Sequence, residues 1–454
     1  MQNGNSLTEG NVRRHLLLFS IPFFLSSLIQ NLYMTADMLI VQWVNGAVGS
    51  SAVGIGGEVV SAFTFLIIGF ASGGTILISQ YVGARREKDV RETIGTLLTL
   101  FAAAALVMTI FMFLISRPLL TLLKTPAESF EDACLYMRIC MFGNFFVFEY
   151  NAVSSILQGT GDSKRPLLFV AVAGTLNIFL DLLFVAVYKM GPTGSALATV
   201  LSQALSLTLS VLYLYKNNHI FKLSGKYFRL RRDKVLLIIK IGFPAAVQNS
   251  ISSISFMFLT ALINQYGYAA SAAAQLAGKF NNLAMLPSSA MSGAMAVMSG
   301  QNMGAGNSDR AVSCLKEGIR LSLFAGIPLF LISICFTPQF MSLLSHGEPE
   351  VIRYGTLYIR GFCADYLLTA FVFSANGFIN GTGHTLVTLL GNALQGIIIR
   401  VPTAYLLALG LHLGILGAGI AVPAATLCGG VLVFSYIASG RWKKPISDLP
   451  SGTA

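Results

Sequence analysis

The sequence predicts an all-α membrane protein: twelve transmembrane helices in two six-helix bundles, related by a pseudo-two-fold axis along the membrane normal. Three observations carry that expectation. The chain is too apolar for a water-soluble globule. Its apolar runs number twelve, with positive charge segregated to alternate connections. Its two halves repeat each other.

Of the 454 residues, 54% are hydrophobic and only 11% are charged, against roughly 25% charged in soluble domains. Such a chain cannot coat a globule with polar groups and suits a protein whose exterior faces lipid. The net charge of +11 would suit a nucleic-acid partner, but the placement of the charges argues against one. The six cysteines (Cys134, Cys140, Cys314, Cys335, Cys363 and Cys428) show neither CxxC nor Cys/His metal spacing and read as small packing residues. Residues 1–15 are polar and the run that follows is long, which reads as a helix that stays rather than a cleaved signal.

A spanning helix needs about 20 mostly apolar residues. Twelve runs qualify, at 16–43, 52–81, 93–116, 133–158, 166–188, 194–215, 235–264, 270–300, 312–336, 351–379, 384–409 and 414–438. Several exceed a minimal span, so tilt or kinks are expected. An even count puts both termini on one side. That side carries twenty Lys and Arg, including Arg85, Arg86, Lys88 and Arg91, then Lys164 and Arg165, then seven between Lys216 and Lys234. The opposite side carries only Arg117, Lys124 and Lys189. Positive charge collects on the cytoplasmic side, so the termini are expected in the cytoplasm of a cell membrane protein, and the net charge is explained without nucleic acid. The basic connection at 216–234 is either a contact for anionic lipid or a partner, or a linker made basic by topology alone.

Pro22 pairs with Pro244, Gln80 with Gln301, Tyr136 with Tyr358, Gly159-Thr160-Gly161 with Gly381-Thr382-Gly383, and Gly191 with Gly414. The offset stays between 221 and 223 residues. Five matches in register mark an internal repeat of six spans each. Six spans return the chain to its starting side, so the two repeats share one orientation. The expected division is an N-lobe at 1–222 and a C-lobe at 223–454, with the cleft between them as the substrate path and rocking of the lobes as the means of alternating access.

Ionisable groups inside apolar spans are functional suspects, because each costs roughly 2.5–3.5 kcal/mol or more at the helix centre. The acids are Asp37, Glu58, Glu149, Asp181 and Asp365. Asp37 and Asp181 lie about 21 and about 15 residues into spans that begin on the same side, so both reach similar depth at about 1.5 Å per residue. Asn177 shares a helix face with Asp181, and Thr199 falls at comparable depth in span six. Four oxygen-bearing side chains can thus converge. They could replace part of the hydration shell of a small hard cation, or the two carboxylates could share one proton. The bland alternative is ordinary interhelical hydrogen bonding. Glu149 could line the cleft and attract a cationic substrate, or pair with Arg138 or Arg400. Gln248 and Asn249 are further cleft candidates, although polar residues in span seven could simply bond within their helix. The methionine-rich stretch from Met285 to Met303 reads as core packing ahead of a promiscuous pocket.

The segments QNLYMTADMLIVQWV, SQYVGARREKDVRE and LQGTGDSKRP, with their second-half echoes GQNMGAGNSDRA and INGTGHT, resemble the multidrug and toxic compound extrusion (MATE) family from about Leu16 to Ile437. The resemblance implies an antiporter that expels cationic or amphipathic organic compounds against a sodium or proton gradient. It implies no enzymatic activity, no cofactor, no metal beyond sodium at the coupling site, and a monomer among lipids whose partners are small organic substrates. The DinF-type branch has an Asp in the first helix, Asn-x-x-x-Asp in the fifth and Thr in the sixth. These fall on Asp37, Asn177, Asp181 and Thr199 as the cation-coupling set. A first-helix proline that bends with cation binding falls on Pro22, which could otherwise merely start the span. The NorM-type acids of the seventh and tenth helices are not matched: span seven has none, and Asp365 stands ahead of the family position near Ala370. The rival readings are a flippase for lipids or lipid-linked saccharides, a membrane enzyme and a receptor. The five histidines (His15, His219, His346, His384 and His412) form no paired catalytic or metal spacing.

Overall fold

The structure, a computed structural model, describes residues 7–217, 221, 224–345 and 347–444. Lys222 of the basic connection, and His219 and His346, lie outside the described residues. Among the described residues every regular element is helical. Backbone groups in hydrocarbon must be satisfied within the segment, and helices achieve that with their own hydrogen bonds.

Among the described residues, twelve helical segments of membrane length follow in order. The first two form one stretch, Val12–Gly83, broken only at Gly46, whose φ of 64° is open to glycine alone without strain. The expected loop between spans one and two is therefore a single break. Spans three and four are Glu87–Leu122 and Ala127–Gly159. Span five is Lys164–Asp181, continued as a π-helical turn at Leu182–Val187, and span six is Gly191–Lys216. In the second half, Arg232–Asn264, Tyr268–Gly304 and Ser308–Cys335 are spans seven to nine. Span ten is two helices, Pro349–Phe362 and Asp365–Gly381, bent by 44° at the join. Span eleven, Thr385–Gly410, contains two π-helical turns, Leu394–Arg400 and Leu406–Gly410. Span twelve is Gly414–Ala438.

The repeat is legible in the backbone. Left-handed residues recur in pairs: Gly161 (φ 95°) with Gly383 (91°), Lys189 (52°) with His412 (54°), and Gly191 (59°) with Gly414 (58°). The tight connection between spans five and six is rebuilt, angle for angle, between spans eleven and twelve.

Contacts divide the chain into two compact units. One is Leu25–Ala246; the other joins Leu7–Phe24 to the chain from Val247 onward. This differs from a cut at residue 222: the opening of each repeat's first helix packs with the other repeat's unit. Each boundary falls two residues after a repeat-related proline, Phe24 after Pro22 and Ala246 after Pro244. In the first unit, Lys234 at the start of span seven is buried, with Nζ 2.6 Å from Asp89 and 2.9 Å from the Tyr81 hydroxyl. Arg231 reaches buried Glu92 at 3.1 Å. Span two runs so close to span seven that a Cβ on Gly69 would sit 2.3 Å from Ala246 Cα. In the second unit, Arg310 donates to the carbonyls of Glu9 and Gly10, and Leu16 and Phe19 join a core with Met291, Met295, Met298 and Phe378. The methionine-rich stretch is thus core.

Outward faces are apolar. Leu106, Leu114, Phe142, Phe179, Phe324 and Leu331 are all exposed, as lipid-facing helices require. Cys335 and Cys428 are also exposed, so two of the six cysteines are not packing residues.

Candidate functional site

Buried acids in the spans are the natural place to look for chemistry. Glu92 is accounted for by Arg231. Asp37, Glu149, Asp181 and Asp365 are buried, and among the described residues none of the four has an ion-pair partner within 4.0 Å.

Asp37 and Asp181 belong to one pocket inside the first unit. Span six brings Ser195, which is fully buried, against span one, and its hydroxyl donates to Asp37 Oδ1 at 2.5 Å. Span five brings Asp181 to the same place, at the residue where its α-helical turns give way to the π turn. Asp181 is wholly buried and neither of its oxygens has a hydrogen-bond partner. The Asp37 charge bears directly on it. One helical turn earlier, Asn177 donates from Nδ2 to Thr199 Oγ1 at 3.5 Å, which leaves Asn177 Oδ1 unpartnered. Spans one and five can approach because Gly174 has no side chain: a Cβ there would lie 3.0 Å from the Tyr33 ring.

The four residues singled out from the sequence are therefore brought together. The pocket holds three buried acceptor oxygens without a donor, two on Asp181 and one on Asn177. Buried polar atoms are nearly always satisfied, so such a set suits a partner that brings a proton or a positive charge. Carboxylate, amide and hydroxyl oxygens suit a hard monovalent cation, and a pair of interacting carboxylates equally suits a shared proton. No group of three His, Cys, Asp or Glu side chains is placed to hold a metal ion among the described residues.

Three contributors were not singled out from the sequence. Ser195 is one; its only signal is its spacing of four residues before Thr199. Tyr136 and Cys140 of span four also lie within reach of the Asp37 charge. A serine or tyrosine in an apolar run attracts no attention, because its burial costs little once it finds one partner.

The remaining candidates separate. Pro22 is buried within span one, two residues before the change of unit. Glu149 is buried with Oε1 unpartnered. Within the first unit, and among the described residues, it has no ion pair: Arg138 instead bonds Ser116 and stacks on Phe113. Gln248 is spent on Thr388 and the Thr385 carbonyl of span eleven, so it is a structural tie within the second unit. Asn249 is exposed, as is Glu58.

Comparison with known proteins agrees with this architecture. The sequence signature of the MatE family matches residues 22–183 and 244–406, one block in each repeat. The chain is 28% identical to the probable multidrug resistance protein YpnP of Bacillus subtilis (strain 168), over 96% of this chain and 97% of that protein. It is 23% identical to the probable multidrug resistance protein NorM of Thermotoga maritima, over 95% and 94%. Its fold is similar to the crystal structure of MATE in the bent conformation, with a TM-score of 0.90, 22% identity and 96% of each chain covered.

Proposed function

Because this chain belongs to the MatE family, whose members are membrane transporters and not enzymes, we propose that it is a secondary antiporter exporting cationic or amphipathic organic compounds in exchange for sodium ions or protons. The observation that carries the reading is the Asp37–Asp181 pocket: two carboxylates sealed in one unit, one with both oxygens unpartnered.

An ion entering this pocket neutralises a repulsion that the fold otherwise holds in a low dielectric. Asp37 and Asp181 supply the charge; Asn177 Oδ1 and Thr199 supply neutral oxygens; Ser195 orients Asp37. A conformation that presses span one against spans five and six binds the ion more tightly than one that separates them. That differential affinity is what lets an ion gradient shift a conformational equilibrium. Pro22 removes a backbone hydrogen bond from span one next to the change of unit, which supports it as the place where the span bends. The match to the DinF-type set is complete at these positions, which favours that branch.

On the substrate side, Glu149 offers a buried carboxylate that would attract an organic cation, and Asn249 an exposed amide. Gln248 contributes by holding spans seven and eleven together. The excess of positive charge on one side supports cytoplasmic termini in the cell membrane. A monomer suffices, since one chain supplies every residue invoked.

Everted vesicles carrying the wild type and Asp37→Asn provide the test, with sodium and proton gradients imposed separately. Drug flux should follow one gradient in the wild type and lose that response in the variant. Flux abolished by Asp37→Asn but indifferent to every ion gradient in the wild type would exclude antiport. Flux of lipid probes without drug flux would favour a flippase.

A further inference from the structure

From Tyr227 to Lys234, the basic connection between spans six and seven is laid along the opening turns of span three. A Cβ on Gly95 would sit 2.0 Å from the Tyr227 carbonyl, and the Thr96 hydroxyl donates to the Arg229 carbonyl at 3.1 Å. Arg231 pairs with Glu92 at 3.1 Å, and Lys234 with Asp89 at 2.6 Å. These contacts use up the local acids. Asp89 also takes Arg86, Glu92 also takes Lys88, Asp233 pairs with both Arg231 and Lys234, and Glu87 takes Arg91. Lys226, Arg229, Arg232 and Lys240 are left over. All four are exposed, and among the described residues none has a carboxylate within 4.0 Å.

Two of these cations share a face of span seven. With 3.6 residues per turn, Arg232, Leu236, Ile239, Lys240 and Phe243 fall within an arc of about 100°. The face is bare: Leu236, Ile239 and Phe243 are 56%, 40% and 54% exposed. The opposite face packs on span two, where a Cβ on Gly242 would lie 2.8 Å from Phe70 Cα and one on Gly73 2.7 Å from the Ile238 carbonyl. The bare stripe therefore suits acyl chains, yet Lys240 stands inside its apolar run, VLLIIKIGF. Lys240 is eight residues past Arg232, about 12 Å along the axis. Cα–Cβ bonds tilt toward a helix's N-terminus, so a lysine here snorkels back toward Arg232 and the headgroup level.

Topology does not require that lysine. The internal repeat supplies the control: at the offset of 222 that pairs Pro22 with Pro244, Ile239, Lys240 and Phe243 correspond to Leu17, Leu18 and Ile21. Leu18 is 51% exposed, so the first copy of the helix carries leucine, equally bare, where the second carries a cation. A rule that only biases loops toward positive charge leaves this difference unexplained.

We propose that Lys240 and Arg232 form a seat for the phosphate of one anionic phospholipid, in the leaflet on the side of the 216–234 connection, with its acyl chains along Leu236, Ile239 and Phe243. Lys226 and Arg229 add the field that favours an anionic headgroup over a zwitterionic one. Free phosphate would use the cations but not the stripe. A second copy of this chain would set cation against cation. The proposal requires that the chain span a membrane and does not depend on the antiporter reading.

Native mass spectrometry of the purified full chain, titrated with phosphatidylglycerol or phosphatidylcholine, tests the seat. The wild type should bind its first phosphatidylglycerol about tenfold more tightly than phosphatidylcholine, since each cation near a lipid surface contributes about fivefold. Lys240→Leu, which copies the residue at position 18, should weaken that first binding about fivefold, and Arg232→Gln should do the same. Lys240→Arg should keep it. Lys164→Gln removes an exposed charge without an ion pair from the connection between spans four and five and should change the affinity less than twofold. Millimolar inorganic phosphate should not displace the lipid. If Lys240→Leu folds poorly, Arg232→Gln at the exposed start of the helix carries the same comparison. Equal losses in Lys164→Gln and Lys240→Leu would mean diffuse attraction and overturn the proposal. So would the absence of a headgroup preference, displacement by phosphate, or a dimer in the same spectra that Lys240→Leu abolishes.

Discussion

Replacing Lys234 by methionine should loosen the first unit by about 3 kcal/mol. The ammonium is 4% exposed, 2.6 Å from Asp89 and 2.9 Å from the Tyr81 hydroxyl. Breaking a buried ion pair costs roughly 3–5 kcal/mol, mostly because the surviving charge is stranded. Here Asp89 keeps Arg86 at 2.7 Å and is 18% exposed, which places the loss at the lower end. Methionine preserves the packing of the stem, so the change isolates the charge. The four buried cysteines make the measurement regional: Cys134 and Cys140 lie in the first unit, Cys314 and Cys363 in the second. In a denaturant series with thiol labelling followed by peptide mass spectrometry, Lys234→Met should expose Cys134 and Cys140 at lower denaturant and leave Cys314 and Cys363 unmoved. A cycle with Asp89→Asn should return a coupling of about 2 kcal/mol, within the range for residues in contact. A loss below about 0.5 kcal/mol, the level of surface substitutions, or equal movement of all four cysteines, would refute the claim that Lys234 anchors span seven to this unit.

Other substitutions probe the pocket and the close approaches. Ser195→Ala removes the donor 2.5 Å from Asp37, a charge-assisted bond of about 1.5–3 kcal/mol, and should shift the ion concentration for half-maximal flux about tenfold while the drug KM changes less than twofold. Its direction identifies the ion: a sodium requirement rises, because Asp37 loses the hydroxyl that orients it toward the other oxygens, whereas a proton requirement falls, because the ionised carboxylate loses its donor. An equal change in both parameters would count against a coupling role. Gly95→Ala would place a Cβ 2.0 Å from the Tyr227 carbonyl; overpacking of about 1–3 kcal/mol should free the Gly225–Tyr227 turn and speed tryptic cleavage after Lys226 about tenfold. An unchanged cleavage rate would mean that the turn is not held there. Gly377→Ala, with its Cβ 2.3 Å from the Ser292 carbonyl, should advance labelling of Cys314 and Cys363 and spare Cys134 and Cys140; the reverse order would contradict the packing of span ten on span eight.

Much of this molecule was readable in one dimension. Spans announce themselves because a helix must be apolar for about 20 residues to cross hydrocarbon, and the repeat shows because Pro22, Gly159 and Gly191 each have a mate at nearly constant distance. Asp37 and Asp181 stood out for the same reason: a charge in an apolar run needs a justification. Ser195, Tyr136 and Cys140 gave no such signal, since nothing about a small polar residue says which neighbour it will meet.

The sequence by itself determined the helical class, the span count, the two-fold repetition and the candidate acids, because each is a property of composition or spacing along the chain. Tertiary structure alone decided that Asp181 lies without a hydrogen-bond donor, that Gln248 ties span seven to span eleven, and that Leu7–Phe24 packs with the second unit. The physical reason is that a buried group's partner is fixed by which helix faces approach closely, and those approaches depend on glycines and bends whose effect appears only when two distant segments touch.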